Sequence, residues 1–580
     1  MVWINSLAVL TVFTLGSCAP ITKNSTQQDL NTPIVHIKNG SITGEFIQNF
    51  NQDAYLGIPF AEPPLKKLRF KPPQPYNQSW SEIKNFTQYG DACIASSGSS
   101  TLPQSEDCLT LNIVKPHGWE NETLPVGIWI HGGSFTEGSG VSGAFNLSWI
   151  VQNSIDIGKP FIGVTINYRL NGFGFLSSDE VSRKGYTNIG LRDQIQAIEW
   201  IHENIAGFGG DPNHLVLWGE SAGSISIGKL LSQDNYLDEE YIKGAIMESG
   251  PNVFPNIKPA ATEQNQEDFL SVVKHVDCFD NVTDYLECLT TVDAKKLQNA
   301  FNVSNGVVDV GFNFPYIDGD VIPKSSYEVL KSGEGFLKVP ILIGTSTDEG
   351  SAFVNRTLNS TEDVVKYLKF YLPNLNNQTI EDLISLYPAN NSETIVPQDP
   401  TYNTSAITYP SSIVGKQYKT LASMYGDITF IAGTKITSRL YSEHKIPVYK
   451  YRFNIPALQI AFLPFLGVTH AQEIPYVFDN QKTSKTADDG TGFFPDPKAS
   501  KIANTMSKAW VSFIHDLDPN ISKDVKLQAE LPEWPQYKVN STTNSGENLV
   551  FDLNGIYVED DVVRHKQIDY IESVISQLNT

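Results

Sequence analysis

The residues best suited to carry out a reaction are the five at positions 219–223, which read Gly-Glu-Ser-Ala-Gly. They directly follow Asn213–Trp218, an apolar run that predicts a buried strand, and they precede a stretch typical of a helix. The small residues around Ser221 allow a tight strand-to-helix turn that exposes the hydroxyl group and places a helix N-terminus behind it. Ser221 is therefore a candidate nucleophile, with an ordinary glycine turn as the alternative.

A serine nucleophile needs hydrogen-bond donors for the oxyanion that forms when it attacks a carbonyl group. The segment His131-Gly132-Gly133-Ser134 ends a second predicted strand, Val126–His131. Alone, this segment predicts only a turn. Paired with Ser221, its glycines let backbone N–H groups approach a substrate oxygen, and each such donor contributes about 3 kcal/mol in the transition state. The candidate oxyanion hole consists of the N–H groups of Gly133, Ser134 and Ala222.

If the serine turn is that of an α/β-hydrolase, then serine, acid and histidine follow one another in that order along the chain, and the general base is one of the histidines beyond the acid. Four of the ten histidines qualify: His444, His470, His515 and His565. His444 lies in a charged run, His515 lies in an amphipathic helical segment, and His565 lies between two cationic residues. His470 follows a glycine-containing turn after an aromatic stretch, and it is the best candidate base.

Two neighbouring carboxylates, Asp348 and Glu349, are the candidate acids. Both lie just beyond a third predicted strand, Val339–Gly344, and the carboxyl ends of parallel strands are where functional groups collect. A carboxylate there can hold the histidine tautomer and stabilise its protonated form. The local sequence does not choose between the two, and both could instead cap the next helix.

The elements that must position these residues alternate between strand-like runs and helical segments. Phe161–Tyr168 predicts a further strand, and Leu191–Asn204 predicts a helix with apolar residues at helical spacing. Such alternation is typical of a mainly parallel central sheet flanked by helices. We therefore expect an α/β fold in a single large catalytic domain. Residues 355–440 are less strongly patterned, and we expect them to be helical and peripheral.

Composition excludes several classes of protein. The 580 residues carry 42 Lys+Arg against 64 Asp+Glu, a formal net charge of −22. Nucleic-acid binding and polybasic membrane-surface binding reward clustered cations, so this balance argues against both. The chain is 40% hydrophobic and 11% aromatic, which excludes global disorder. No metal or organic cofactor is implied.

The N-terminus predicts secretion. Residues 1–18 resemble a signal peptide with a short uncharged apolar core, although the usual N-terminal cation is missing. Residues 19–32 form a polar tail, and 33–580 form the catalytic domain. The chain contains fifteen Asn-x-Ser/Thr sequons, which suit a glycosylated extracellular surface. No other segment is long and apolar enough to be an integral membrane anchor.

Five cysteines support the same compartment. Cys18 would leave with the signal peptide, and four would remain. Four cysteines allow three pairings. Proximity along the chain favours two short loops, Cys93–Cys108 and Cys278–Cys288.

Together these residues resemble the type-B carboxylesterase/lipase family, to which the cholinesterases belong, and in character the chain is similar to secreted fungal esterases and lipases. The likeness runs from about residue 33 to 570. It rests on the serine signature at 208–223 and a second signature at 106–112. The blocks at 55–70, 167–169 and 534–537 also match.

The resemblance implies assignments that the residues alone left open. It implies that Glu349, and not Asp348, is the catalytic acid. It maps a Gly-x-x-His element with a following glutamate onto Gly467, His470 and Glu473. It also supports the two cysteine pairings and implies structural ion pairs, Arg69–Glu106 and Arg169–Asp193.

Two departures from the family pattern refine the expected function. Ser134 stands where a third glycine is usual, which still leaves a backbone N–H group. The loop 94–107 is short and polar and lacks tryptophan, so it offers neither a cation–π partner for choline nor a hydrophobic flap. We expect a secreted serine carboxylesterase that acts on a small-molecule ester. The alternatives are a long-chain triacylglycerol lipase and a non-catalytic binding protein. The sequence leaves the oligomeric state open.

Overall fold

The computed structural model describes residues 32–255, 257–280, 283–302, 312, 314–388, 414–456, 464–480 and 497–578. The predicted signal peptide and nearly all of the polar tail lie outside them. The described strands are β1 Ile34–Ile37, β2 Gly40–Thr43, β3 Glu45–Ile47, β4 Gln52–Pro59, β5 Lys84–Asn85, β6 Ala92–Cys93, β7 Gln104–Ser105, β8 Thr110–Pro116, β9 Leu124–Ile130, β10 Ile162–Ile166, β11 Gly210–Glu220, β12 Ile242–Glu248, β13 Ile341–Ser346, β14 Val448–Asn454, β15 Glu547–Asp552 and β16 Gly555–Asp560.

The helices in the same part of the chain connect these strands. They are α1 Ser148–Asp156, α2 Asn171–Phe175, α3 Asp179–Arg183, α4 Ile189–Asn204, α5 Ala222–Leu231, α6 Glu263–His275, α7 Tyr285–Thr291, α8 Ala294–Asn302, α9 Ser326–Ser332, α10 Thr361–Tyr371, α11 Asn377–Leu386, α12 Tyr418–Gly426, α13 Ala432–Glu443, α14 Ile474–Val477, α15 Pro497–Asp516 and α16 His565–Ser573.

A central sheet of eleven strands organises the molecule, in the order β16-β15-β14-β13-β12-β11-β9-β10-β8-β4-β3. The strands from β10 to β15 in that order pair in parallel. Antiparallel strands complete both edges, with β16 at one side and β8, β4 and β3 at the other. The mainly parallel sheet confirms the predicted fold class.

Both faces of this sheet are covered, which explains why its central strands are apolar along their whole length. Every residue of β9 and of β13 is buried. Two separate apolar cores form, one on each face of the sheet. In one of them Trp218 of β11 packs edge-on against Trp129 of β9, with 4.7 Å between ring centroids. Burial on both faces is the usual state of a parallel sheet.

Most of the predicted strands and helices are present, with ends that differ from the predicted ones by a few residues. The run Asn213–Trp218 lies inside the longer β11, and the helix predicted from Leu191 begins two residues earlier as α4. One expectation is wrong in part. The described segments of 355–440 are helical, but α12 and α13 are mostly buried and pack against the core rather than at the periphery.

Covalent and ionic links reinforce the scaffold. Disulfides join Cys93 to Cys108 and Cys278 to Cys288. Both ion pairs implied by the resemblance are present, with a shortest N···O distance of 2.5 Å for Arg69–Glu106 and 2.6 Å for Arg169–Asp193. Among the described residues, no helix has the length and apolar character needed to span a membrane.

Candidate active site

Ser221 occupies a strained turn between β11 and α5. Its backbone has φ 53° and ψ −123°, a conformation that L-residues rarely adopt and that is typical of a functional constraint. The Ser221 N–H group donates to the carbonyl oxygen of Glu248 at 2.8 Å, which ties the turn to β12. A Cβ atom on Gly223 would lie 1.9 Å from the carbonyl oxygen of Ile130. Glycine is therefore required there, because α5 packs directly on the end of β9.

The loop after β9 approaches this turn closely. A Cβ atom on Gly132 would lie 2.9 Å from the Cβ atom of Ser221. Gly133 and Ser134 both have positive φ, 106° and 54°, so the loop is tightly folded at the two predicted donors. Ala222, which supplies the third predicted donor, is the first residue of α5. The structure thus brings the two predicted backbone segments to one place.

His131, at the start of this loop, is held in place by its neighbours. Its ring stacks on Tyr168 with 4.4 Å between centroids, and the Tyr168 hydroxyl donates to the His131 carbonyl oxygen at 2.9 Å. Burial lowers the pKa of His131 to about 4, so the ring is neutral at physiological pH. Its Nδ1–H group donates to the Gly132 carbonyl oxygen at 2.8 Å. This contact fixes the peptide that precedes the predicted donors.

Glu349 and His470 meet although 120 residues separate them along the chain. His470 Nδ1 lies 2.5 Å from a carboxylate oxygen of Glu349. Glu349 lies in a turn just after β13 and is buried. Its other oxygen accepts hydrogen bonds from the Ser249 hydroxyl and the Ser346 N–H group, both at 2.6 Å. Three donors therefore hold this carboxylate in one orientation.

Asp348, the neighbouring candidate, has a different place. Its carboxylate accepts a hydrogen bond from the Val468 N–H group at 2.7 Å, and its own N–H group donates to the Val468 carbonyl oxygen at 2.8 Å. Val468 lies two residues before His470. Asp348 therefore anchors the loop that carries the histidine, whereas Glu349 contacts the imidazole itself.

The second imidazole nitrogen faces another carboxylate. His470 Nε2 lies 3.1 Å from an oxygen of Glu220, the residue before Ser221, without the geometry of a hydrogen bond. The rings of Phe353 and Phe430 pack against the imidazole, with centroids at 5.0 and 4.6 Å. The histidine is thus enclosed by two acidic groups and two aromatic rings.

This enclosure shifts several pKa values. Burial disfavours the imidazolium, but the charges of Glu220 and Glu349 outweigh burial and raise the pKa of His470 to about 9. Burial also raises the pKa of Glu220 to about 8 and that of Glu473 to about 7, and repulsion from Glu349 adds to both shifts. The charge of Glu220 and the charge of His470 therefore favour each other.

Ser249 is a residue that the sequence analysis missed. Its hydroxyl contacts Glu349 at 2.6 Å and Glu473 at 3.0 Å, and its φ of 51° places it in a turn at the end of β12. The available signal was weak, because Ser249 follows an apolar run as many serines do. Its partners are distant along the chain and become visible only once the sheet is assembled.

One group outside this site has the composition of a metal site. Ligand atoms of Asp53, His117 and Glu120 lie within 4.8 Å of one another. Among the described residues the group shares no member with the Ser221 site, and His117 already bonds Asp53 at 2.9 Å.

A serine in a strained strand-to-helix turn, at the carboxyl ends of a mainly parallel sheet, defines the α/β-hydrolase class. Solved structures agree. "Crystal Structure of Aspergillus niger EstA" superposes with a TM-score of 0.79 at 27% identity, and it covers 95% of this chain and 99% of that chain. The fold is therefore that of the α/β-hydrolase esterases.

The chain belongs to the carboxylesterase family, whose sequence model matches residues 31–565. It is 31% identical over 567 residues to "Lipase 4" of Diutina rugosa, covering 92% of this chain and 94% of the relative. It is 30% identical over 542 residues to "Secreted triacylglycerol lipase LIP1" of Gibberella zeae, covering 87% and 85%. The protein is thus a carboxylic ester hydrolase related to fungal lipases and esterases.

Proposed function

We propose that the protein is a secreted serine carboxylesterase that works through an acyl-enzyme. Ser221 is the nucleophile, His470 the general base and acid, and Glu349 the carboxylate that orients His470. The N–H groups of Gly133, Ser134 and Ala222 bind the oxyanion. The observation that carries this proposal is the 2.5 Å contact between Glu349 and His470, made beside the strained turn that presents Ser221.

The reaction follows from these positions. His470 Nε2 takes the proton of the Ser221 hydroxyl as its oxygen attacks the ester carbonyl carbon. The carbonyl oxygen becomes negative and is bound by the backbone donors. His470 then gives the proton to the leaving alcohol as the C–O bond breaks. In the second half, His470 activates a water molecule that releases the acid and regenerates Ser221.

Glu220 adds a constraint on this cycle. When its carboxyl group is ionised, it holds a proton on His470 Nε2, the atom that must be free to accept one from Ser221. When it is protonated, this attraction disappears. Burial raises the pKa of Glu220 and so opposes its ionised form, whereas the ionised form raises the pKa of His470. We infer that the charge of Glu220 sets the pH range in which His470 is free to accept the proton of Ser221.

The loop between the first pair of cysteines supports an esterase over an interfacial lipase. Its apolar residues Ile94 and Leu102 are only half-exposed, and the loop is fixed to the body of the protein at two points. Ser96 N–H donates to the Thr136 carbonyl oxygen at 2.8 Å, and β7 pairs with β6. A short, tethered, polar loop makes a poor hydrophobic flap. A long-chain lipase is the second candidate, favoured by relatives that carry that name.

Secretion is supported by the surface of the described residues. Among them, seven sequon asparagines are exposed: Asn77, Asn85, Asn121, Asn355, Asn359, Asn377 and Asn540. Asn520 is an exception, because it is half-buried and its side-chain amide donates to the Trp534 carbonyl oxygen at 3.0 Å. We infer glycosylation at the exposed set and none at Asn520. Peptide mass mapping before and after enzymatic deglycosylation tests this assignment.

Initial hydrolysis rates on p-nitrophenyl esters from acetate to palmitate test the proposed function, with Ser221→Ala as the control. We expect a maximum at short chains, no jump in rate above the solubility limit, and loss of activity in the variant. A maximum at long chains with interfacial activation would establish the lipase alternative. No activity on any ester, with the variant indistinguishable from the wild type, would support a binding protein.

A further inference from the structure

A second concave site lies beside the carboxyl ends of β13, β14 and β15. It is a cavity of about 330 Å³, and Ser346, Asn454 and Asp552 mark the strand ends that border it. Ser221, Glu349 and His470 are not among its lining residues. The carboxyl ends of parallel strands are the usual place for ligands in sheets of this kind, so the position itself suits a binding site.

Charged side chains of both signs line this cavity. Three cations, Lys450, Arg452 and Arg564, face two acids, Asp552 and Asp561. The whole chain carries a formal charge of −22. A cation there can bind a small anion only if its protein partners leave a donor free.

Two of the three cations are held by partners on the protein. The Arg452 guanidinium donates to both carboxylate oxygens of Glu559, at 2.7 and 2.8 Å, and to the Thr347 hydroxyl at 2.9 Å. The Lys450 ammonium donates to Asn548 at 2.8 Å and lies 3.2 Å from Asp561. These two cations are therefore committed to the scaffold.

Arg564 differs from them. Its side chain is only 2% exposed, and its Nε–H group alone contacts both oxygens of Asp427, at 2.9 and 2.7 Å. Its Nη1 atom is buried and has no hydrogen-bond partner among the described residues. Its backbone has φ 49° and ψ 34°, an uncommon conformation for arginine that places it at the start of α16. A buried donor without a partner is unfavourable, so Nη1 is available to an oxyanion that enters the cavity.

We propose that this cavity binds a small oxyanion, a carboxylate or phosphate group, with the Arg564 guanidinium as its anchor. A guanidinium fork matches the two oxygens of such a group. Ser346, which lines the cavity, also donates its N–H group to Glu349 at 2.6 Å. The bound anion therefore lies next to a hydrogen-bond partner of the proposed catalytic acid, on a surface separate from the ester site.

Removing Arg564 would leave the buried Asp427 carboxylate without its cation, and the protein could fail to fold for that reason alone. The test therefore uses Asn554, an exposed residue of the cavity lining. Asn554→Asp adds a negative charge at nearly constant side-chain size. Asn554→Lys adds a positive charge on a longer side chain. Asn544→Asp, at an exposed asparagine that does not line the cavity, is the matched control.

Isothermal titration calorimetry of the full chain with sodium acetate and, separately, inorganic phosphate at constant ionic strength measures the binding. We expect saturable one-site binding of at least one anion, weakened about fivefold or more by Asn554→Asp and tightened by Asn554→Lys. The anion that binds more tightly identifies the carboxylate or the phosphate as the natural group. Absence of saturable binding by both, or binding that Asn554→Asp and Asn544→Asp change equally, would overturn the proposal.

Discussion

The candidate active site has two halves that are built differently. The loop half, residues 132–134 and 221–222, consists of backbone groups held by positive φ angles and close glycine packing. The acid half, Glu349, His470, Glu473 and Ser249, consists of buried side chains held by hydrogen bonds between distant segments. The geometry of the loop half is set by residues that can adopt positive φ or lack a Cβ atom. The geometry of the acid half is set by the protonation states and hydrogen bonds of its buried side chains.

This difference predicts two kinds of failure. A substitution in the loop half changes shape and affects folding together with catalysis. A conservative substitution in the acid half leaves the shape unchanged and alters protonation. The four predictions below test this contrast, from the largest expected effect to the smallest.

His470→Ala removes the proposed base from the acid half. We expect kcat to fall by at least about 10⁴-fold, with KM nearly unchanged, because the histidine acts in the transition state. Rates on a short p-nitrophenyl ester measure both constants. His515→Ala, on the outer part of α15, is the control and should retain activity. A fall of less than tenfold would remove His470 from the reaction.

Gly133→Ala perturbs the loop half. The added Cβ atom would lie 2.3 Å from the Glu137 carbonyl oxygen, and the φ of 106° disfavours alanine. We expect kcat to fall by about 10²-fold as the donor moves, with a measurable fall in melting temperature. Gly118→Ala, at φ 87° with open space around it, separates backbone strain from the steric clash. Equal effects of both variants would contradict the packing argument.

Ser249→Ala tests the support of the acid. Glu349 loses a donor at 2.6 Å but keeps Ser346 and His470. We expect about a tenfold fall in kcat, since a hydrogen bond to a charged group contributes about 1.5 kcal/mol. Ser224→Ala is the control, because the hydroxyl of that buried serine donates to the Gly250 carbonyl oxygen and not to Glu349. An unchanged kcat and an unchanged pH profile would show that Ser249 is dispensable.

Glu220→Gln gives the smallest change in rate and a defined change in pH dependence. The carboxylate charge of Glu220 raises the pKa of His470, so removing it lowers that pKa. Because His470 must be neutral to accept a proton, the acid limb of the kcat/KM profile should move to lower pH by about one unit. Glu248→Gln, a buried carboxyl that bonds Trp218 and Trp510, should not move it. A limb that moves to higher pH would contradict this sign.

The two halves also differ in how far the sequence predicts them. The loop half is local: glycines next to Ser221 and His131, each after an apolar run, were enough to predict both turns. The order of these residues along the chain and their surroundings singled out His470. The choice of Glu349 over Asp348 came from the family resemblance, because adjacent carboxylates look alike in one dimension.

What the sequence did not predict depends on the assembled sheet. Ser249 reaches Glu349 only because β12 and β13 pair side by side. The contact of Glu220 with the second imidazole nitrogen likewise requires that His470, which follows β14 in the chain, lies against the end of β11. The burial of α12 and α13 was missed because their apolar patterning is weak, although the core covers them. Such contacts join segments that no local pattern connects.

Covalent labelling with a fluorophosphonate, followed by mass spectrometry of the intact protein and its peptides, tests the central claim most directly. A base-activated serine reacts with this reagent, whereas an ordinary serine does not. We predict a single adduct on the peptide that contains Ser221, formed rapidly in the wild type, slowly in His470→Ala and not at all in Ser221→Ala. An adduct on another serine, or no adduct in a folded wild-type protein, would contradict the account.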